Sequence, residues 1–224
     1  MATVVFDLDG TLADTSVDLL AAANAVFRDW GHGDVLSPAR ADDRGTAMKG
    51  GRAMLRLGLA RVRGEVDEAL VELGYQPLLD AYAGRLSAET RLFPGAHAAL
   101  ERLRAGGHVI AVCTNKPVTL AEALLADLGV RDLFAALVGA GTLPVRKPDP
   151  APLLETVVRA GGVLAQTVLI GDTVTDRDTA RAAGTRCLLV TFGPDGQAVA
   201  GLEPDGLLHH FDQTEDSLAA LGLV

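Results

Sequence analysis

Two aspartates, Asp7 and Asp9, stand two residues apart directly after the apolar run "VVF" near the start of the chain. Carboxylates this close raise each other's cost of ionising, and packing gives no reason to end a buried strand on them. Chemistry does. Asp172 and Asp176 recur in "GDTVTD", Lys147 stands in "VRKPDP", and Thr114, Asn115 and Lys116 follow one another in "CTNK". Clustered carboxylates suit Mg²⁺, a hard cation bound by oxygen ligands at roughly 2.0–2.1 Å. A lysine adds a compact positive charge, and the Thr114 hydroxyl with adjacent N–H groups adds donors. Acids, a divalent cation, a lysine and a donor loop together describe a site for phosphoryl transfer.

These residues are far apart in sequence, so elements must bring them together. Short apolar runs alternate with helical patterns, the signature of a parallel α/β sheet. The expected strands are Thr3–Phe6, His108–Cys113, Ala136–Gly139, Thr167–Gly171 and Arg186–Phe192. The expected helices are His97–Arg104, Val118–Leu128, Ala151–Ala160 and Asp176–Ala183, the last three each followed by a glycine that stops the helix. In an open parallel sheet the ligand crevice lies beyond the carboxyl ends of the strands, and four of these ends carry the polar groups named above. Residues i and i+2 leaving a strand point to one side, which places Asp7 and Asp9 toward one pocket.

One interval breaks the alternation. Residues 15–89 hold only helical patterns, with Val17, Leu20, Ala21, Asn24 and Phe27 on one face of the first. They read as an inserted helical domain, and residues 1–14 with 90–224 as the sheet-containing one.

At 224 residues with 49% hydrophobic and 22% charged content, the chain has the composition of a globular protein with a substantial core. A net charge of −9 argues against nucleic-acid or anionic-membrane surfaces. A cluster of cations or a metal can still reverse the field inside one pocket and admit a small anion. No apolar run reaches membrane-spanning length and no basic leader precedes the first strand, so the expected location is cytoplasmic. Cys113 and Cys187 lie inside apolar runs and read as buried thiols.

"DLDGT", "CTNK", the lysine of "RKPDP" and "GDTVTD" resemble, in order, the four motifs of the haloacid dehalogenase superfamily of hydrolases, and "TNKP", "KPDPAPLL" and "LEPDGLLHHFD" resemble its phosphoglycolate phosphatase-like branch. The resemblance implies a Rossmann-like α/β core with an inserted α-helical cap domain. It implies an Mg²⁺-dependent phosphatase acting on a small phosphate monoester, with Asp7 as nucleophile and Asp9 as general acid and base. Asp7, Asp172 and the backbone carbonyl of Asp9 are the implied metal ligands. Lys147 is the charge against the phosphoryl oxygens, and Thr114 and Asn115 are donors to them. Asp176 reads either as a helix N-cap or as a residue that orients Lys147 or a metal-bound water. Lys116 reads as a substrate contact or a surface cation. In "MKGGRAM", Lys49 and Arg52 are candidates to read the non-phosphate end of the substrate, with two solvated cations on a turn as the plain alternative. His209 and His210 read as surface or packing residues. The same core serves sugar-phosphate phosphatases and β-phosphoglucomutase-like mutases, and a non-catalytic regulatory protein on this fold is the alternative of another class. The oligomeric state, monomer or homodimer, and the part played by the loop 193–196 stay open at this stage.

Overall fold

The computed structural model describes residues 1–223. The chain divides into two compact units, residues 1–14 with 92–224 and residues 15–91.

The first unit is built on a sheet whose strands are mostly apolar runs. The chain opens with β1 (Thr3–Phe6) and the two-residue β2 (Ala13–Asp14), leaves for the second unit, and returns at β3 (Arg91–Leu92), which pairs with β2. Four helices of the second unit lie between: α1 (Ser16–Asp29), α2 (Ala41–Met48), α3 (Gly51–Arg63) and α4 (Glu68–Ala83). After the return come α5 (Ala96–Ala105), β4 (Val109–Pro117), α6 (Val118–Asp127), β5 (Ala136–Ala140) and α7 (Ala151–Arg159). The chain ends with β6 (Thr167–Gly171), α8 (Val174–Ala183), β7 (Arg186–Val190), β8 (Gly206–Leu208) and α9 (Thr214–Ala220). Among the described residues no helix is long and apolar enough to cross a membrane.

The main sheet has the order β5-β4-β1-β6-β7-β8 with parallel pairing throughout. Every residue of β1 and β6 is buried, as expected for strands covered on both faces. The core on one face gathers Val5, Leu153, Val157, Leu169 and Leu189 around the two buried, unpaired cysteines. The strand order turns back at β1, which is flanked by β4 on one side and β6 on the other. The carboxyl end of β1 is therefore the topological switch point where an open α/β sheet leaves its crevice.

The expected strands appear, β1 and β6 with the expected ends and the others with shifted ones. β4 continues to Pro117 instead of ending at Cys113, and its pairing with β5 changes register between Cys113 and Pro117. β7 stops at Val190, and the three-residue β8, too short for a periodic signal, was not anticipated. α8 starts two residues early because Asp176 is its third residue and accepts the N–H of Thr173.

In the second unit, α1 packs on α2, α3 and α4. Neighbours on several sides bury more of it than a single stripe. Leu20, Asn24 and Phe27 are buried as the pattern implies, but so are Leu19, Ala22, Ala23 and Val26, while Val17 and Ala21 are half-buried. Asn24, the polar member, holds the loop that follows: its Oδ1 accepts from the N–H groups of Val35 and Leu36 at 3.0 and 2.9 Å, and its Nδ2 donates to the Leu36 carbonyl at 2.8 Å. Asp18 is buried and was not singled out by the sequence. It accepts from the N–H groups of Glu89 and Thr90 at 2.9 and 2.8 Å, the Thr90 hydroxyl at 2.9 Å and the Arg85 guanidinium at 3.0 Å.

Candidate active site

Asp7 follows β1 and continues its ladder, its N–H donating to the Ile170 carbonyl at 2.9 Å. This fixes its carboxylate between the ends of β4 and β6. Asp172 follows β6, and one oxygen each of Asp7, Asp172 and Asp176 lie within 4.8 Å of one another. Lys147 enters from the loop after β5 with its side chain almost wholly buried. Its Nζ donates to Asp176 Oδ1 at 2.6 Å and to the Cys113 carbonyl at 2.8 Å, and lies 3.1 Å from Asp7 Oδ1. That last contact is angled so that no hydrogen bond forms, which leaves Asp7 Oδ1 buried without a donor.

Asp176 bonds to Lys147, one of the ways the sequence left open, but it is the third residue of α8 and not its N-cap, which is Thr173. Its Oδ1 takes Lys147. Its Oδ2 accepts from the N–H and hydroxyl of Thr173 at 3.1 and 2.9 Å, at the start of α8, and from the Asp172 N–H at 3.3 Å. Gly171 makes room for this: a Cβ there would sit 2.3 Å from the Asp176 carboxyl carbon. Sequence reasoning missed Thr11, whose buried hydroxyl donates to Asp172 Oδ1 at 3.0 Å. It also left Gly193 without a part. A Cβ on Gly193 would meet the Gly10 carbonyl at 2.9 Å and Asp172 Cβ at 3.2 Å, so the loop after β7 presses directly on the corner of the site that holds Asp172.

The bulged end of β4 aims three consecutive side chains at three different targets, a use bulges commonly serve beside active sites. Thr114 is buried, its hydroxyl accepting from the Lys116 N–H at 3.2 Å. Asn115 turns to the backbone of Lys147 instead of an open pocket, with bonds of 2.9 and 3.0 Å. Lys116 is no surface cation. Its side chain is 2% exposed, and its Nζ lies 2.9 and 3.2 Å from the two oxygens of Asp9. Asp7 and Asp9 thus emerge side by side but face different ammonium groups.

The electrostatics follow from burial. Desolvation, with Asp176 and Asp9 adding repulsion against the opposing pull of Lys147, pushes Asp7 up to about 6. Burial, with Asp176 and Asp7 beside it, holds Asp172 well above the usual carboxylate range. Burial alone would lower Lys147, but Asp176 and Asp7 more than reverse this and leave it above the ordinary lysine value. Four carboxylates face two ammonium groups. With all four carboxylates ionised the imbalance is two negative charges, the charge of one divalent cation, and the orphaned Asp7 oxygen lies in a set of hard oxygen donors. The residues present fit such an ion. Because both oxygens of Asp176 are already bonded, Asp7 and Asp172 are the better placed to receive it.

In the second unit, Lys49 is exposed just after α2. Arg52 is bound to Glu72 by two bonds of 2.6 and 2.8 Å and lies 3.5 Å from the Tyr75 ring centroid. His209 is exposed with its Nδ1 2.9 Å from the Thr191 hydroxyl, and exposed His210 accepts the Asp212 N–H at 3.2 Å.

Residues 1–184 match the family model of haloacid dehalogenase-like hydrolases. The chain belongs to that family. It is 38% identical over 223 residues to a phosphoglycolate phosphatase of Cereibacter sphaeroides, covering 99% of each chain. It is 36% identical over 216 residues to one of Mesorhizobium japonicum, covering 96% of this chain and 94% of the other. The crystal structure of a predicted phosphoglycolate phosphatase from Haemophilus somnus 129pt superimposes with a TM-score of 0.81 at 25% identity and 97% coverage of each chain. These similarities support a phosphatase in the phosphoglycolate phosphatase-like branch of these hydrolases.

Proposed function

We propose that this protein is an Mg²⁺-dependent phosphatase that hydrolyses 2-phosphoglycolate, or a close small phosphate monoester, through an aspartyl phosphate on Asp7. The observation that carries the reading is the convergence of Asp7, Lys147, Asp172 and Asp176 at the carboxyl ends of β1, β5 and β6, with Asp9 beside them. Relatives at 36–38% identity over nearly the whole chain support the substrate.

Asp7 attacks phosphorus, and the bond from phosphorus to the ester oxygen breaks. Asp9 gives its proton to the leaving oxygen, then takes one from the water that attacks the phosphorus of the aspartyl phosphate. That attack frees Asp7 and inorganic phosphate. Lys147, fixed by Asp176 and the Cys113 carbonyl, holds positive charge against the phosphoryl oxygens, and the Thr114 hydroxyl donates to them. Asp7, Asp172 and the Asp9 carbonyl would hold Mg²⁺, which when bound neutralises phosphoryl charge and orients the group. Uncatalysed phosphate monoester hydrolysis is slow enough to require acceleration of up to about 10²¹-fold, which accounts for so many charges in one buried site. The helical unit acts as a cap, and Lys49 and Arg52 are its candidate contacts to the rest of the substrate. The protein works in the cytoplasm.

The test is phosphate release from purified protein, with and without Mg²⁺, across 2-phosphoglycolate, sugar phosphates, nucleoside monophosphates and pyridoxal phosphate. The expected result is Mg²⁺-dependent release with the highest kcat/KM for 2-phosphoglycolate. A higher kcat/KM for a sugar phosphate would move the substrate, and turnover only with an added sugar bisphosphate would indicate a mutase.

A further inference from the structure

The side chain of Asn115 behaves like a strand segment laid against one residue. Its Oδ1 accepts the Lys147 N–H at 3.0 Å, and its Nδ2 donates to the Lys147 carbonyl at 2.9 Å. Lys147 lies in the loop between β5 and α7, outside any helix or strand. Two parallel bonds to one residue fix both its place and its orientation, which a single bond does not. The register shift of β4 releases Asn115 from the ladder and lets it reach sideways. The Lys147 ammonium must then meet three partners within 2.6–3.1 Å: the Cys113 carbonyl, Asp176 and Asp7. A small displacement of its Cα would break that set.

We infer that Asn115 is a positioning residue that clamps the Lys147 backbone so that its ammonium stands over the reacting phosphoryl group, rather than a donor to the substrate. The inference rests on the proposed role of Lys147, because the clamp matters to turnover only if that ammonium does. A misplacement of about 1 Å at a reacting charge costs on the order of 10²-fold in rate, so loss of the clamp acts on catalysis well beyond its effect on folding.

The two roles separate in how one substitution divides between kcat and KM. Asn115→Ala removes both bonds to Lys147. Measured for 2-phosphoglycolate and for 4-nitrophenyl phosphate at saturating Mg²⁺, loss of the clamp lowers kcat by about 10–100-fold on both esters with KM little changed, and N115A melts within a few degrees of the wild type. A loss carried by KM with kcat kept, or N115A retaining wild-type turnover, would overturn the inference. Lys147→Met separates the two levels. If K147M is inactive while N115A is unimpaired, the clamp is wrong and the site reading stands. If K147M turns over normally, the role of Lys147 itself fails and takes the clamp with it.

Discussion

Buried acids occur in both units, and the two sets are treated in opposite ways. In the helical unit Asp18 receives two backbone N–H groups, a hydroxyl and a guanidinium, and Asp43 receives the Ser37 N–H at 2.7 Å and Arg61 at 2.9 Å. Burial would raise both, yet these donors outweigh it and hold both below the usual carboxylate value. In the sheet unit Asp7 and Asp172 are raised, Asp7 with an oxygen that no donor satisfies. An acid that holds structure is supplied with donors until ionisation is easy. In the proposed reading, Asp7 and Asp172 are left short of them, to be completed by a cation or substrate.

That contrast can be broken in several places. Asp7→Asn is expected to reduce phosphate release by about 10⁴-fold or more while the melting curve is kept, since it removes the nucleophile and relieves charge repulsion. Asp9→Asn should slow turnover by roughly 10²–10⁴-fold, with a phosphoryl-enzyme accumulating in acid-quenched mass spectrometry, and full turnover would remove Asp9 from its acid-base role. Asp18→Ala, by contrast, strands several buried donors and should destabilise the helical unit by about 2–4 kcal/mol in chemical denaturation. Asp172→Asn is expected to go the other way. Without metal it should stabilise the protein by about 1 kcal/mol, because a repelling charge is gone while the oxygen facing Thr11 is kept, and a lower melting temperature would contradict the comparison.

The smallest effect is that of pH on the metal-free protein. Asp7 has its folded value, about 6, above its ordinary value of 3.8, so the folded state binds the proton more tightly and stability falls as pH rises from about 4 to 6. Asp18 has its folded value below the ordinary one. Its contribution is complete above about pH 4 and is lost as pH falls through the folded value. Metal-free protein should therefore melt higher at pH 5 than at pH 7, and Asp7→Asn should shrink that difference.

The sheet and the gathering of acids and a lysine at its edge were readable in the sequence because both are written locally. A run such as "TVLIG", five residues long, β-branched and closed by glycine, is too short for a buried helix and reads as a strand, and the acids, the lysine and the threonine follow such runs directly or within one loop. What escaped depended on contacts between distant segments. Asn115 looked like a donor loop member until the bulge in β4 turned it toward Lys147, and Lys116 looked free until Asp9, 107 residues away, took it. Asp18 sits in a helical first turn like many acids, and only the returning chain at Glu89 and Thr90 gives it a purpose. Gly193 carries no periodic signal, since its value lies in the atom it lacks.

The bonds from Asp18 to Glu89 and Thr90 join the entrance and the exit of residues 15–91 within a single module. To the sheet, seventy-odd residues are then equivalent to a tight loop, because the chain-closure entropy is settled inside the insertion. Such a module can be replaced by one of different length or lining without re-registering a single strand, so evolution can alter the insertion while the acids and the lysine at the strand ends stay untouched.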